Sequence, residues 1–270
     1  MSDVAAARMV SVVLNEDARF LYPKDDPYWS EVFTWPQGRY GAYEREINWA
    51  LLRAAERPYA TIDAGANYGF WSILASSAPY GRHSTIAIEP SRTNFEHLLN
   101  NAKANGNRFH TLCRAVLDES GKRVTLYGKR PGGLSLRKDW HPDEIDNSEE
   151  NIETITLDAV ADRYLQNRRY PVLIKLDVEG SEIAGIKGSR RLVDEGALLT
   201  YEDHGKETTH PVSRFVLSLD DVDIWSVGAN QQATRITAIE QVAAIKTNPR
   251  VGYNFFAYRR SSPWSSLFEG

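Results

Sequence analysis

Cysteine, methionine and long apolar runs are all scarce in this sequence, and neither sign of charge dominates it. A single cysteine, Cys113, among 270 residues excludes an internal disulfide framework and suits a reducing compartment. No uninterrupted apolar stretch nears the roughly 20 residues that span a bilayer, and Met1 to Asn15 lacks the basic and apolar regions of a secretion signal. A cytoplasmic protein without a membrane partner is expected. The formal net charge of −4 supplies no basic field, so nucleic acid is not the expected substrate. No oligomeric contact is read from the sequence. What remains is an ordinary globular composition, 42% hydrophobic and 25% charged, long enough for one sizeable domain with additions.

The chain is organised around Tyr59 to Leu74. A short apolar run, Ala60 to Ile62, closes on Asp63, and Gly65 and Gly69 precede an apolar-periodic segment that begins at Phe70. This is the pattern of a strand, a tight turn and a helix start, in which glycine lets the backbone approach a ligand closely. The dinucleotide fingerprint needs three glycines for a pyrophosphate, and here Ala66, Asn67 and Tyr68 separate only two. Asp63 would repel a phosphate but suits an ammonium, such as that on the amino-acid portion of S-adenosylmethionine. The next apolar run, Thr85 to Ile88, ends in Glu89, where an open α/β sheet places the acid that holds a ribose.

Three ordered motifs carry a resemblance. Asp63-Ala-Gly-Ala-Asn-Tyr-Gly69, Ile88-Glu-Pro-Ser91 followed by Asn94 and Phe95, and Leu173-Ile-Lys-Leu-Asp-Val-Glu-Gly-Ser-Glu182 with Lys187 and Gly188 together resemble the FkbM-type methyltransferase family. The likeness runs from about Glu44 to about Arg259. It implies S-adenosylmethionine as cofactor and a class I methyltransferase fold of the Rossmann-like type. It also implies cofactor contacts from Gly65, Ala66, Asn67, Gly69, Phe70, Glu89, Pro90, Ser91 and Asn94, with Asp177 beside the methionine end. An acid near the cofactor is implied too, and Glu44 and Glu46 are both open for it. The acceptor class implied is a hydroxyl on a sugar or polyketide-like secondary metabolite, or on a surface glycan.

Taken in order, residues 1–43 form an aromatic-rich and proline-rich extension, read as irregular, that either packs on the domain or covers a ligand as a flap. Asp26-Pro27-Tyr28 within it faintly resembles an amino-group methyltransferase signature, but it lacks the second proline and follows no apolar strand. Residues 44–260 form the methyltransferase domain. A helix is expected over Glu44 to Arg57, with Ile47, Ala50, Leu51 and Ala54 on one face, and another after Ser91 as N-cap. Phe109 to Leu117 reads as the third strand, with Arg114 and Ala115 beside the adenine and Val124 to Tyr127 returning as a hairpin. Residues 128–151 form a long loop or lid; the resemblance places Gly133 and Ser135 near the site, and His141 is read as a solvated loop histidine. Strands are expected at Thr154 to Leu157, Val172 to Leu176, Ala197 to Tyr201, Val222 to Val227 and Tyr253 to Tyr258, with helices between, and residues 261–270 read as a tail. Alternating strands and helices predict a doubly wound, mostly parallel α/β sheet with right-handed crossovers.

Ligands in such sheets sit at the carboxyl ends of the strands, where Asp63, Glu89, Asp177 and Glu202 to His204 converge. Methyl transfer to a hydroxyl needs alignment and a base, which contributes on the order of 10²–10⁴-fold. Asp177, Glu179 and His204 are the catalytic candidates, and His204 has the natural pKa for the task. No metal is expected; a set of Asp177, Glu179, Asp203 and His204, of the kind catechol-type methyltransferases use, is the minor alternative. The rival functions are a nicotinamide-dependent oxidoreductase and a non-catalytic cofactor-binding module of the same fold.

Overall fold

Branched, mostly apolar pentapeptides such as Val172 to Leu176 suit strands buried on both faces, and in the computed structural model they form the centre of one large sheet. Residues 8–34, 43–128, 133–140, 148–166 and 170–269 are described. The expectation for His141 lies outside the described residues.

The chain opens with a hairpin, β1 (Met9–Asn15) and β2 (Ala18–Pro23), then helix α1 (Pro27–Thr34) and α2 (Arg45–Ala54). The first central unit is β3 (Ala60–Ala64) with α3 (Phe70–Ala75), followed by β4 (Ser84–Ile88), α4 (Arg92–Ala104) and β5 (His110–Leu112). Three more strands come next, β6 (Ala115–Val116), β7 (Arg123–Tyr127) and β8 (Ser148–Ile155), then α5 (Leu157–Tyr164). The second half runs β9 (Val172–Leu176), α6 (Glu182–Lys187), α7 (Arg190–Asp194), β10 (Leu198–Glu202), α8 (Pro211–Leu217) and β11 (Val222–Val227). It closes with β12 (Ala233–Ile236), α9 (Ile239–Ile245), β13 (Asn254–Arg259) and α10 (Ser265–Phe268).

The large sheet has the order β5-β4-β3-β9-β10-β13-β11-β12. Its first five strands are parallel, whereas β13 runs antiparallel to both β10 and β11, and β12 antiparallel to β11. This is the expected doubly wound α/β architecture, with a mixed edge. Leu173 and Ile174, neighbours on β9, fall in different apolar layers because side chains alternate across a strand. One layer adds Leu51, Ile73, Leu98 and Leu267 from α2, α3, α4 and α10; the other adds Val160, Ile186, Leu192, Val216 and Val242 from α5 to α9. Each such fully buried aliphatic side chain contributes roughly 1.5–3 kcal/mol.

Several expectations change. The run Phe109 to Leu117 is not one strand: it breaks after Leu112, and β6 leaves the large sheet to pair in parallel with β8. β7 pairs antiparallel with β8 rather than returning on that run as a hairpin, so a small sheet brackets the long loop. β8 starts at Ser148, inside the stretch read as loop. β12 was not anticipated. The final stretch, read as a tail, carries α10 and buries Trp264, Leu267 and Phe268.

Over its described residues, 8–34, the N-terminal extension is likewise regular rather than irregular. Asp26 caps α1, accepting from the Trp29 backbone N–H at 2.9 Å, with Pro27 at the first helical position; its other oxygen accepts from the Tyr68 hydroxyl at 2.9 Å. Phe20, Trp29, Phe33, Tyr43 and Phe70 make a continuous ring cluster, with Phe20 and Trp29 centroids 4.4 Å apart. The Asn101 side chain on α4 accepts from Leu21 N–H at 2.7 Å and donates to the Leu21 and Tyr68 carbonyls, both at 2.9 Å. No helix among the described residues is long and apolar enough to cross a membrane.

Candidate active site

A cavity of about 530 Å³ opens where β3, β4, β9 and β10 end. Its shape depends on one glycine: Gly65 has φ +78°, and a Cβ there would lie 1.6 Å from the Asp177 carbonyl oxygen. Only glycine lets the turn after β3 meet the end of β9 so closely.

On the β4 side, Glu89 lines the cavity at 4% exposure. Its Oε2 accepts from Asn67 N–H at 2.9 Å, and its Oε1 accepts from Ser91 N–H at 3.0 Å and Asn94 Nδ2 at 3.3 Å. Burial pushes its pKa up to about 7, against the pull of those backbone donors. Asn67, Pro90 and Asn94 line the cavity with it. Ser91 does not: it caps α4 and donates to Glu149 Oε1 at 2.6 Å. Arg114, Ala115 and the apolar side chains of Leu126, Leu134 and Leu136 form the wall beyond Glu89, and Ala66 and Phe70 lie along the turn. Gly69 is outside the lining, supplying the left-handed start of α3 at φ +90°.

Asp63 is placed differently from its expectation. It is 1% exposed and does not line the cavity; its Oδ2 accepts from Ser72 Oγ at 2.6 Å, so it braces α3. Its strand partner across β3 and β9 is Lys175. Lys175 donates to Asp177 Oδ2 at 3.0 Å. Burial would lower the Lys175 pKa, but Asp177, Glu44 and Asp63 around it raise it. A lysine in the middle of a strand otherwise built from Val, Leu and Ile is the sequence signal for this counter-ion.

Glu44 and Glu46 both lie at the cavity and both accept from Asn254 Nδ2, at 3.3 and 3.0 Å, so the structure uses the pair rather than one of them. Glu44 also accepts from Trp71 Nε1, and burial pushes its pKa up to about 7.

Glu179 and His204 face the same cavity as Asp177. Glu179 holds a left-handed backbone, φ +52°, an unfavourable conformation for a non-glycine residue and a common mark of functional sites. Its carbonyl accepts from Ser135 Oγ at 2.5 Å and its Oε2 from Trp140 Nε1 at 2.7 Å. Trp140 itself is clasped by Lys206, whose ammonium lies 3.4 Å from the ring centroid and donates to the Trp140 carbonyl. Gly133 is not among the residues that line the cavity. Burial, then the Asp177 charge, pushes Glu179 up to about 8. His204 Nδ1 accepts from the Lys206 backbone N–H at 3.2 Å; a neutral imidazole so bonded carries its proton on Nε2, as a donor. Asp203 turns away, 0% exposed, to an ion pair with Lys246 and the Ser213 N–H. It is therefore not available to a metal set with His204. Trp140, Lys175 and Asn254 are the site residues that sequence reasoning missed.

Among solved structures, the FkbM methyltransferase of Methylobacillus flagellatus is 18% identical with a TM-score of 0.46, the match covering 74% of this chain and 44% of that one. This chain thus matches less than half the length of that protein. An O-methyltransferase from Bacillus cereus in complex with SAH is 9% identical, TM-score 0.44, with 80% of this chain and 81% of that chain covered. No curated protein sequence matches this chain. The methyltransferase FkbM domain model matches residues 63–220, more than half of the chain and all three of its motifs, and this protein therefore belongs to the FkbM methyltransferase family.

Proposed function

We propose that this protein transfers the methyl group of its cofactor, S-adenosylmethionine, to a hydroxyl on a sugar or polyketide-like metabolite. The observation that carries the reading is Glu89: a buried carboxylate, fixed by two backbone N–H groups, that faces the cavity at the end of β4. Such a carboxylate is built to accept from paired ribose hydroxyls. The apolar wall of Leu126, Leu134 and Leu136 suits a flat base, and the acids around Lys175 suit an ammonium and a positive sulfur. When bound, the cofactor supplies an activated methyl on that sulfur.

The chain's own residues then align the acceptor and remove its proton. Glu179 is the base this geometry favours: Trp140 holds one carboxylate oxygen, which leaves the other for a hydroxyl proton. His204, which lines the same cavity, orients the acceptor. Asp177, paired with Lys175, keeps the floor of the cavity charged and positioned. Tyr28, exposed beside the cavity that it lines, offers an aromatic ring there, which supports a sugar-like ligand. The lone, half-buried Cys113 supports a cytoplasmic setting.

S-adenosylhomocysteine should raise the melting temperature, while NAD should not, because only a ligand that binds the native state stabilises it by mass action. Methyl transfer is then scored across a library of hydroxyl compounds. Absence of a shift with S-adenosylhomocysteine ends the reading, and transfer confined to amines corrects the acceptor. Substituting Glu179→Gln should remove turnover and leave cofactor binding; persistence of turnover removes the base assignment.

A further inference from the structure

Three carboxylates meet where β9 and β10 end. Asp177 and Glu202 lie at those strand ends, and Glu182 reaches back from the first turn of α6; one oxygen of each lies within 4.8 Å of the other two. Their environments differ. Glu182 binds its own loop, accepting from Val178 N–H at 3.0 Å and from Gly180 N–H at 3.0 and 3.2 Å. Asp177 gives Oδ2 to Lys175 and keeps a second oxygen. Glu202 is 9% exposed, and its side chain lines the cavity and has no hydrogen bond or ion pair with any described residue.

A buried carboxylate without a donor or a cation is an expensive arrangement, and two more carboxylates beside it make it worse. The backbone preserves it nonetheless. A Cβ on Gly252 would lie 1.4 Å from Glu202 Oε1, so the chain closes over this carboxylate at a residue that has no side chain to displace it. The missing element is positive charge.

We propose that Asp177, Glu182 and Glu202 bind a divalent cation. Three oxygen donors, all carboxylates and none of them sulfur or imidazole, select a hard ion of the Mg²⁺ or Mn²⁺ class. Two of the three line the cavity, so the remaining coordination positions face it and are open to oxygen ligands there. The site is defined by protein atoms alone and does not rest on the methyl-transfer reading.

The test is a titration of the metal-stripped full chain with MnCl₂, followed by calorimetry and by the electron paramagnetic resonance of free Mn²⁺, with S-adenosylhomocysteine binding measured alongside. One equivalent of Mn²⁺ per chain is expected, displaced by Mg²⁺, with affinity lowered at least ten-fold by Glu202→Gln and by Asp177→Asn. Absence of Mn²⁺ binding at millimolar concentration overturns the proposal and leaves a ligand ammonium as the missing charge. Binding of equal strength in both variants also overturns it, as an adventitious ion only. Should one variant fail to fold, by its melting curve, the other decides. Loss of S-adenosylhomocysteine binding with Mn²⁺ binding retained counts against the methyl-transfer reading and not against this one.

Discussion

Trp140 Nε1 donates to Glu179 Oε2 at 2.7 Å, although the two residues are 39 positions apart and lie in different loops. The indole thereby fixes the side chain that we assign as the base, and a Lys206 ammonium over the same ring fixes the indole. Trp140→Phe keeps an aromatic ring and removes the donor. Methyl transfer should slow about ten-fold, the worth of one hydrogen bond to a charged group. The dissociation constant for S-adenosylhomocysteine should stay within about two-fold by calorimetry. An equal loss in both would mean that Trp140 supports the cavity as a whole.

Glu89 makes cofactor affinity depend on pH. Burial holds its pKa near 7 in the ligand-free chain, well above the ordinary carboxylate value of 4.5. A ribose hydroxyl donates to the ionised form, which is present above pH 7 and lost below it. Affinity for S-adenosylhomocysteine should therefore fall roughly ten-fold between pH 8 and pH 6, and Glu89→Gln should bind more weakly at pH 8 but without that slope. The contribution of this group to folding has the opposite sign. Its folded pKa exceeds its unfolded one, so it favours the native state increasingly as pH drops from 7 toward 4.5.

The closeness of Gly65 to β9 should be visible in stability as well as binding. Gly65→Ala places a Cβ 1.6 Å from the Asp177 carbonyl oxygen on a backbone of φ +78°. A loss of more than about 2 kcal/mol in urea unfolding is expected, together with loss of cofactor binding. A variant of unchanged midpoint would show that the turn can relax.

Lys246 and Asp203 form an ion pair in which both side chains are 0% exposed. Lys246→Ala strands the carboxylate and should cost about 3–5 kcal/mol, read as a lower denaturant midpoint at unchanged slope. The double variant with Asp203→Asn should recover much of that loss, since no buried charge is then left alone.

Much of this arrangement is legible in the residues, and the remainder is hidden for physical reasons. The strand-turn-helix at Asp63 to Phe70 and the buried run at Val172 are local patterns, so period and glycine spacing reveal them. The break between Leu112 and Ala115 is not local: the run looks continuous, and only the pairing of β6 with β8, across the long loop, divides it. The first hairpin did leave a signal, since Val10, Val12 and Leu14 alternate before an Asn-Glu-Asp turn, but the many rings that follow obscured it. Trp140 and Asn254 act through contacts far along the chain, which composition and spacing do not encode.

The amide of Asn101 clasps both backbone atoms of Leu21 and the carbonyl of Tyr68 with one side chain. The hairpin and the glycine turn thus share a single rivet. A shortened chain beginning at α2 would lose more than a cover: the ring cluster around Phe70 would face water, and the loop that presents Asn67 to Glu89 would lose its brace. The leading segment is accordingly part of the unit that must fold before the cavity exists.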